Sequence, residues 1–350
     1  MDEVRIQSYR TNSNGGCTVK EALQKFKDKR ILITGGAGCI GRNLTESLLA
    51  GDPKEVLILD DLSAAFEWNI PKDPRVFFVK GSILDDEKLD TAFSERPEYV
   101  FHLAAHFANQ NSVEHPETDL LVNGLGTLKT LKRAHMVKSE KFVFASSGCS
   151  VYGSEAPLPL KEDYVSLHLD TPYQITKLLG ELYCNFYHDY YGLPVVIARF
   201  FNVYGPGEVP GKYRNVIPNF IYKSLKGQSL PITGTGEETR DWTYVSDIVD
   251  GFLGCATHDE AVGDAFNLAS GTETRVRYVA DVINKLTNNH VKPVNLPMRT
   301  WDKIIRRRAS IEKASRILGY APKMKIEDGI ERTIKWISAN ISQIDKNAQL

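Results

Sequence analysis

From Arg30 onward the chain alternates short, nearly continuous apolar runs with longer amphipathic ones. RILIT (30–34), EVLILD (55–60), VFFV (76–79), YVFHLA (99–104), KFVFAS (141–146) and PVVIARF (194–200) are short and rich in β-branched or aromatic residues. Runs of that length with no polar alternation describe strands covered on both faces, as in a parallel sheet. Helical patterns separate most of them: GRNLTESLLA, DEKLDTAFS, NGLGTLKTLKRAH and TPYQITKLLGELYCNFYHDYYG. Strands and helices in alternation, joined by right-handed crossovers, predict an α/β fold with a doubly wound parallel sheet.

Two stretches break this rhythm. After about residue 200, Gly and Pro become frequent (YGPGEVPGKYRNVIP, PITGTGEETRD) and apolar runs shorten. This predicts a smaller C-terminal lobe for substrate over about 201–240 and 271–340, beside a dinucleotide domain over 29–200 and about 241–270. The IEKASRILG segment (311–319) reads as a late helix ending in a C-cap glycine. Residues 1–28 form an extension. Its first half is polar, then Val19, Ala22, Leu23 and Phe26 recur at helical spacing. Either a short helix packed on the body or an unstructured tail accounts for it.

Composition narrows the class. The chain has 350 residues, 42% of them hydrophobic and 25% charged, as in ordinary soluble domains with a full core. With 43 basic against 44 acidic residues, a general polyanion binder is disfavoured, so no nucleic-acid partner is expected. No apolar run approaches the ~18 residues of a membrane span, and the first residues do not resemble a signal peptide. Five scattered cysteines without CxxC spacing suit neither zinc nor a disulfide framework. They favour a reducing cytoplasm and no metal.

The first predicted strand runs directly into GGAGCIGRNLTESLL, where Gly35, Gly38 and Gly41 are spaced by three. At a strand-to-helix junction, side chains at these points would block a tight turn, a pyrophosphate or helix–strand approach. The helix N-terminus, with Cys39 and Ile40, then offers free N–H groups and partial positive charge to phosphate. Nineteen residues beyond Gly41 the second strand ends at Asp60, followed by Asp61. A carboxylate there accepts from ribose hydroxyls and repels a 2′-phosphate, which favours NAD over NADP. The fold is thus expected to be Rossmann-type.

In PYQITK, Tyr173 and Lys177 are four apart on a helix and share a face. An ammonium beside a phenol favours phenolate and lowers a pKa that starts near ~10, suiting the tyrosine to act as a base. SSGCSVYG (146–153) follows the fifth strand and offers Ser146, Ser147 and Ser150 as hydroxyls for the reacting oxygen, or as ordinary turn residues. Arg306–Arg308 read as a solvated basic run or as a phosphate contact.

As a set, TGGAGCIG, HLAA (102–105), SSGCSVYG, YQITK and RFFNVYGPG (199–207) resemble the extended short-chain dehydrogenase/reductases, in particular the NAD-dependent epimerase/dehydratase group that includes UDP-galactose 4-epimerase. The resemblance covers roughly residues 29–337. It implies a homodimer formed through helices near 112–135 and 172–191, and a nucleotide-diphosphate sugar as substrate. It implies a cofactor site containing Asp60, Ser82, Ile83, Leu103, Ala104, Ala105 and Phe200, with Asn123 in support. Tyr173 and Lys177 match the catalytic pair, while Asn202, Asn215, Arg240, Arg299 and Asp302 match diphosphate-sugar positions. The group's catalytic Ser or Thr falls at Gly148, so Ser147 is taken as its substitute. Where dehydratases carry Asp-Glu and decarboxylases a second-position Glu, this chain has Cys149 and Ser150. Cys149 is either an acid/base, as a thiol is in some sugar epimerases of the group, or an inert buried residue. The resemblance therefore implies an NAD-dependent epimerisation, most readily at C4 through a 4-keto intermediate. The alternatives are a dehydrogenase or dehydratase using the same pair, or a cofactor-binding regulator without turnover.

Overall fold

The computed structural model describes residues 19–347. Cys17, the polar half of the N-terminal extension and the side chain of Val19 lie outside the described residues. Seven strands form one sheet: β1 (Arg30–Thr34), β2 (Glu55–Asp60), β3 (Val76–Lys80), β4 (Tyr99–His102), β5 (Lys141–Ser147), β6 (Val195–Phe200) and β7 (Ala265–Leu268). All pairings are parallel, in the order β7-β6-β5-β4-β1-β2-β3. The order reverses between β1 and β4, the switch point at which a doubly wound sheet opens a crevice at its carboxyl edge. Six of these strands are the six apolar runs. The seventh, AFNL, is only four residues long, and β6 recruits it from the Gly/Pro-rich part of the chain.

Helices cover both faces. On one side α1 (Val19–Gln24) and α2 (Cys39–Leu49) pack against a later helix of residues 245–257. Phe26, just past α1, is fully buried and meets Tyr99 edge-on with ring centroids 4.8 Å apart. Ala22 is buried too, so this end of the extension is part of the core. The other face carries α3 (Asp86–Phe93), α4 (Thr127–Val137) and α5 (Pro172–Tyr191). Asp85 caps α3 by accepting from the N–H groups of Glu87 and Lys88. A wide π-type turn over Leu120–Gly126 leads into α4, which therefore begins later than the polar pattern suggests.

Cap chemistry fixes where α5 starts. Thr171 accepts from the Gln174 N–H, Pro172 fills the first helical position, and Gly192 closes the other end at φ +69°. His102, from HLAA, is a buried strut that bonds Thr34 across 2.7 Å and Thr127 across 3.0 Å. Burial pulls its imidazole down to a pKa of about 3, so the ring is neutral. Residues 312–318 form the expected late helix, with Gly319 at φ +63° as its cap. Among the described residues no helix is long and apolar enough to cross a membrane.

Phe26→Ala removes a ring wedged between the extension and the sheet. It should cost about 3–5 kcal/mol, measured as a lower denaturant midpoint with an unchanged slope.

Candidate active site

The strand register brings the carboxyl ends together. Thr34 lies level with Leu59 and His102, and Ser147 with Phe200. Above this edge is a cleft of about 900 Å³, a size usual for small-molecule sites.

Gly35, Gly38, Cys39, Ile40 and Gly41 line one end of the cleft. Gly35 has φ +72°, and a Cβ there would lie 2.6 Å from the Ala104 nitrogen. At Gly41 a Cβ would lie 2.5 Å from the Gly36 Cα, which is the close approach of helix to turn. Gly38 differs: its nearest protein atom would be 3.4 Å away. Since the protein itself leaves room there, the position is open toward the cleft at the first turn of α2. This is a cradle that fits a pyrophosphate on a helix N-terminus.

Asp60 is nearly buried at the end of β2. Its carboxylate accepts from Ala37 N–H at 3.0 Å and Leu62 N–H at 2.8 Å, tying the glycine turn to the strand. Burial raises its pKa, against those two bonds. Asp61, Ser82 and Ile83 line the same end, and Leu103, Ala104 and Ala105 the middle. Asn123 lies behind the wall. It accepts from His106 N–H at 2.8 Å and donates to Asp119 at 2.8 Å, bracing the loop after β4.

Tyr173, Lys177, Ser147 and Phe200 line the cleft centre. Lys177 is buried, and its ammonium donates to the Ala145 carbonyl at 2.9 Å. It lies 5.6 Å from the centre of the Tyr173 ring. The expected lowering of the phenol does not appear. Burial pushes the Tyr173 pKa above its usual range, and Asp119 and Cys149 add to that. Burial also brings Lys177 down to about 8. Desolvation sets the direction at both residues, and the resting phenol holds its proton.

Of the three serines, Ser146 donates to buried Glu181, and Ser150 donates to Ser147 at 2.8 Å. Ser147 keeps its own hydroxyl proton for a ligand. Gly148 has a steric cause here, since a Cβ would fall 2.0 Å from the Phe201 ring. Cys149 is half-buried, its thiol donating to Asn202 at 3.3 Å. Burial raises the thiol pKa.

At the far end lie Asn202, Asn215, Arg240, Arg299 and Asp302. Arg240 faces Asp302 at 3.5 Å. Arg299 is exposed, over the Trp301 ring. Asn215 donates to Glu208 at 3.0 Å, and Glu208 is a buried carboxyl raised by burial to about 7. Two lining residues had no distinguishing sequence signal, Glu208 and Arg214, and the basic run that read as solvated or as a phosphate contact sends Arg307 to the cleft. Arg307 sits inside a run of three arginines and is the one of them that lines the cleft. Arg306 is exposed and paired with Glu273.

The sequence pattern of the NAD dependent epimerase/dehydratase family matches residues 31–269. The chain belongs to that family. NAD is accordingly its cofactor, and the glycine cradle with Asp60 fits it. UDP-glucose 4-epimerase of Mycolicibacterium smegmatis is 34% identical over 310 residues, covering 88% of this chain and 98% of that protein. UDP-N-acetyl-alpha-D-glucosaminuronate decarboxylase of Bacillus cytotoxicus is 35% identical over 321 residues, covering 88% and 97%. Among solved structures, the epimerase Mth375 of Methanothermobacter thermautotrophicus is 54% identical with a TM-score of 0.94, covering 95% of this chain and 98% of that one. Nucleotide-sugar epimerases and a decarboxylase thus share this family's fold with the present member.

Gly38→Ala should leave thermal stability near wild type while weakening NAD at least tenfold by titration. Gly41→Ala should instead lower the melting temperature. Lys177 has a folded pKa near 8 against 10.5 for its ordinary value, so its burial penalty is full below pH 8 and fades as pH rises toward 10.5. Lys177→Met should therefore be more stable than wild type at pH 7, and this advantage should shrink by pH 10 in melts of the cofactor-free protein.

Proposed function

We propose that the protein is a nucleotide-sugar epimerase that inverts C4 through a 4-keto intermediate. The observation that carries this reading is the desolvated Tyr173–Lys177 pair beside Ser147, between the glycine cradle and the arginine end of one cleft. NAD supplies the reversible redox chemistry when bound. Tyr173 must first give up its own proton to solvent, and Lys177 offsets the charge of the phenolate so formed, against the burial that disfavours it. The phenolate then takes the proton of the sugar O4 hydroxyl and becomes neutral, with Ser147 hydrogen-bonded to the same oxygen. Returning the proton from Tyr173 to the opposite epimer completes the cycle.

Asn202, Asn215, Arg240, Arg299 and Asp302, in the lobe of about 201–240 and 271–340, are read as holding the nucleotide diphosphate. The relatives' names make UDP the first nucleotide to test. Cys149 and Ser150 supply no carboxylate where eliminating members of the group need one, which favours simple inversion over loss of water or carbon dioxide.

We also infer a homodimer. Leu120, Leu121 and Leu125 on the turn before α4, with Ile175, Leu182 and Phe186 on α5, are large apolar side chains left exposed on packed neighbours. A contiguous apolar face of this kind is unusual on a monomer. The described cysteines are all free, which suits the cytoplasm.

Incubation with UDP-sugars should yield a product of unchanged mass and inverted C4, seen by mass spectrometry and proton NMR. Accumulating NADH, or a mass loss, would sink the epimerase reading. Tyr173→Phe should lose about 10²–10⁴ in turnover while still binding NAD. Leu182→Glu should shift the light-scattering mass toward one chain.

A further inference from the structure

Two arginines are almost completely buried in the described chain, and they are treated very differently. Arg199, 3% exposed, grips Glu181 with two bonds, Nε to Oε1 at 3.0 Å and Nη2 to Oε2 at 2.8 Å. Arg307, 2% exposed, has no such partner. Its Nη2 donates to the Cys149 carbonyl at 3.1 Å, and its Nε is buried with nothing to bond. Two carboxylates act on it from farther away without reaching ion-pair distance. Asp302 faces Arg240 at 3.5 Å, and Asp170 pairs through Oδ1 with Lys303 at 3.1 Å while its buried Oδ2 bonds nothing. Arg240 itself adds like charge. A guanidinium cannot shed its proton to escape this, so the site carries a buried positive charge with no carboxylate at ion-pair distance.

The fold holds it there firmly. Ala309 forms a parallel bridge with Leu160, and its N–H donates to buried Asp241 at 3.2 Å. Asp241 also accepts from Ser270 and Gly271. The strand-like segment bearing Arg307 is therefore locked against the one bearing Arg240. Arg307 lines the cleft, and its one bond reaches the residue two places after Ser147. Cys149 acts electrostatically on both Arg307 and Tyr173. The free guanidinium thus belongs to the reacting end of the cleft.

We propose that Arg307 is the counter-charge for a carboxylate on the sugar, so that the substrate is a nucleotide-linked acidic sugar such as a hexuronate. This rests on the nucleotide-sugar reading above and narrows it. A planar fork with an unoccupied Nε matches a carboxylate edge-on, which a neutral hydroxymethyl group would leave unsatisfied. The pairing also suits inversion of an acid at C4. Loss of carbon dioxide from the keto form would move the C5–C6 electron pair into an enolate and take the negative charge away from Arg307. The contact that recognises the acid opposes that loss.

The test uses the NAD-loaded enzyme and matched pairs differing only at C6: UDP-glucuronate against UDP-glucose, and GDP-mannuronate against GDP-mannose. In at least one pair the wild type should bind the acid about 10–100-fold more tightly. Arg307→Met should erase that preference, leave the neutral partner and the free nucleotide diphosphate unaffected, and melt no lower than wild type without ligand. Arg307→Lys, which keeps charge but not the fork, should retain part of the preference and provides the measurement if the Met variant misfolds. No preference in either pair overturns the inference. So does an equal loss for acid, neutral sugar and free nucleotide, which would assign Arg307 to the diphosphate. Selection of the acid without inversion would sink the epimerase reading alone, while inversion without selection would sink this one alone.

Discussion

Glu181 of α5 and Arg199 of β6 form a two-pronged ion pair at 2.8 and 3.0 Å in the interior of the protein. Ser146 on β5 donates to the same carboxylate, and Arg199 also bonds the Tyr152 hydroxyl, which reaches Asn267 on β7 at 2.7 Å. Three adjacent strands and one helix are joined by groups that cannot be left unpaired at that depth without a large penalty. The consequence is rotational. Tyr173, Lys177 and Glu181 are spaced by four and share one helical face. Anchoring Glu181 to the sheet therefore aims the other two at the carboxyl edge, where the Ala145 carbonyl receives Lys177.

From that anchor follows the character of the centre. Lys177 and Tyr173 are buried to the same degree that makes charge expensive, and both are driven toward neutrality. A pair solvated at a surface would titrate near ordinary values and couple weakly. Here neutralising a charge on one partner is worth several-fold more, because little water screens it. The protein thus stores its electrostatic preference in position, and the ionisation of Tyr173 is tied to the state of what lies against it. Arg199 and Arg307 extend the same logic, since one buried guanidinium is satisfied within the fold and the other faces the cleft.

Much of this was legible in the chain itself. Six strands, the glycine turn, Asp60 at a strand end and the Tyr173–Lys177 spacing are local patterns, governed by period and by backbone sterics that neighbours several residues away already determine. The weak β7 was not legible, since AFNL becomes a strand only because β6 offers it an edge. Gly148 looked like a missing hydroxyl, and the Phe201 ring supplies the reason for it. The direction of the phenol's pKa also ran against the expectation, because spacing reports proximity to an ammonium but carries no information about desolvation.

The order of strands and helices, the dinucleotide turn and the spacing that puts Tyr173 and Lys177 on one helical face were written into the chain, because each depends on residues close together along it. How far each charge lies from water, and which partner it meets, came instead from the three-dimensional packing. Arg306, Arg307 and Arg308 are chemically identical in a string of letters. An extended segment pinned by Leu160 and Asp241 sends one of them into the cleft and another toward Glu273 and solvent. Burial is a property of the whole packing, and it is burial that turns an ordinary arginine into a candidate for selecting substrate.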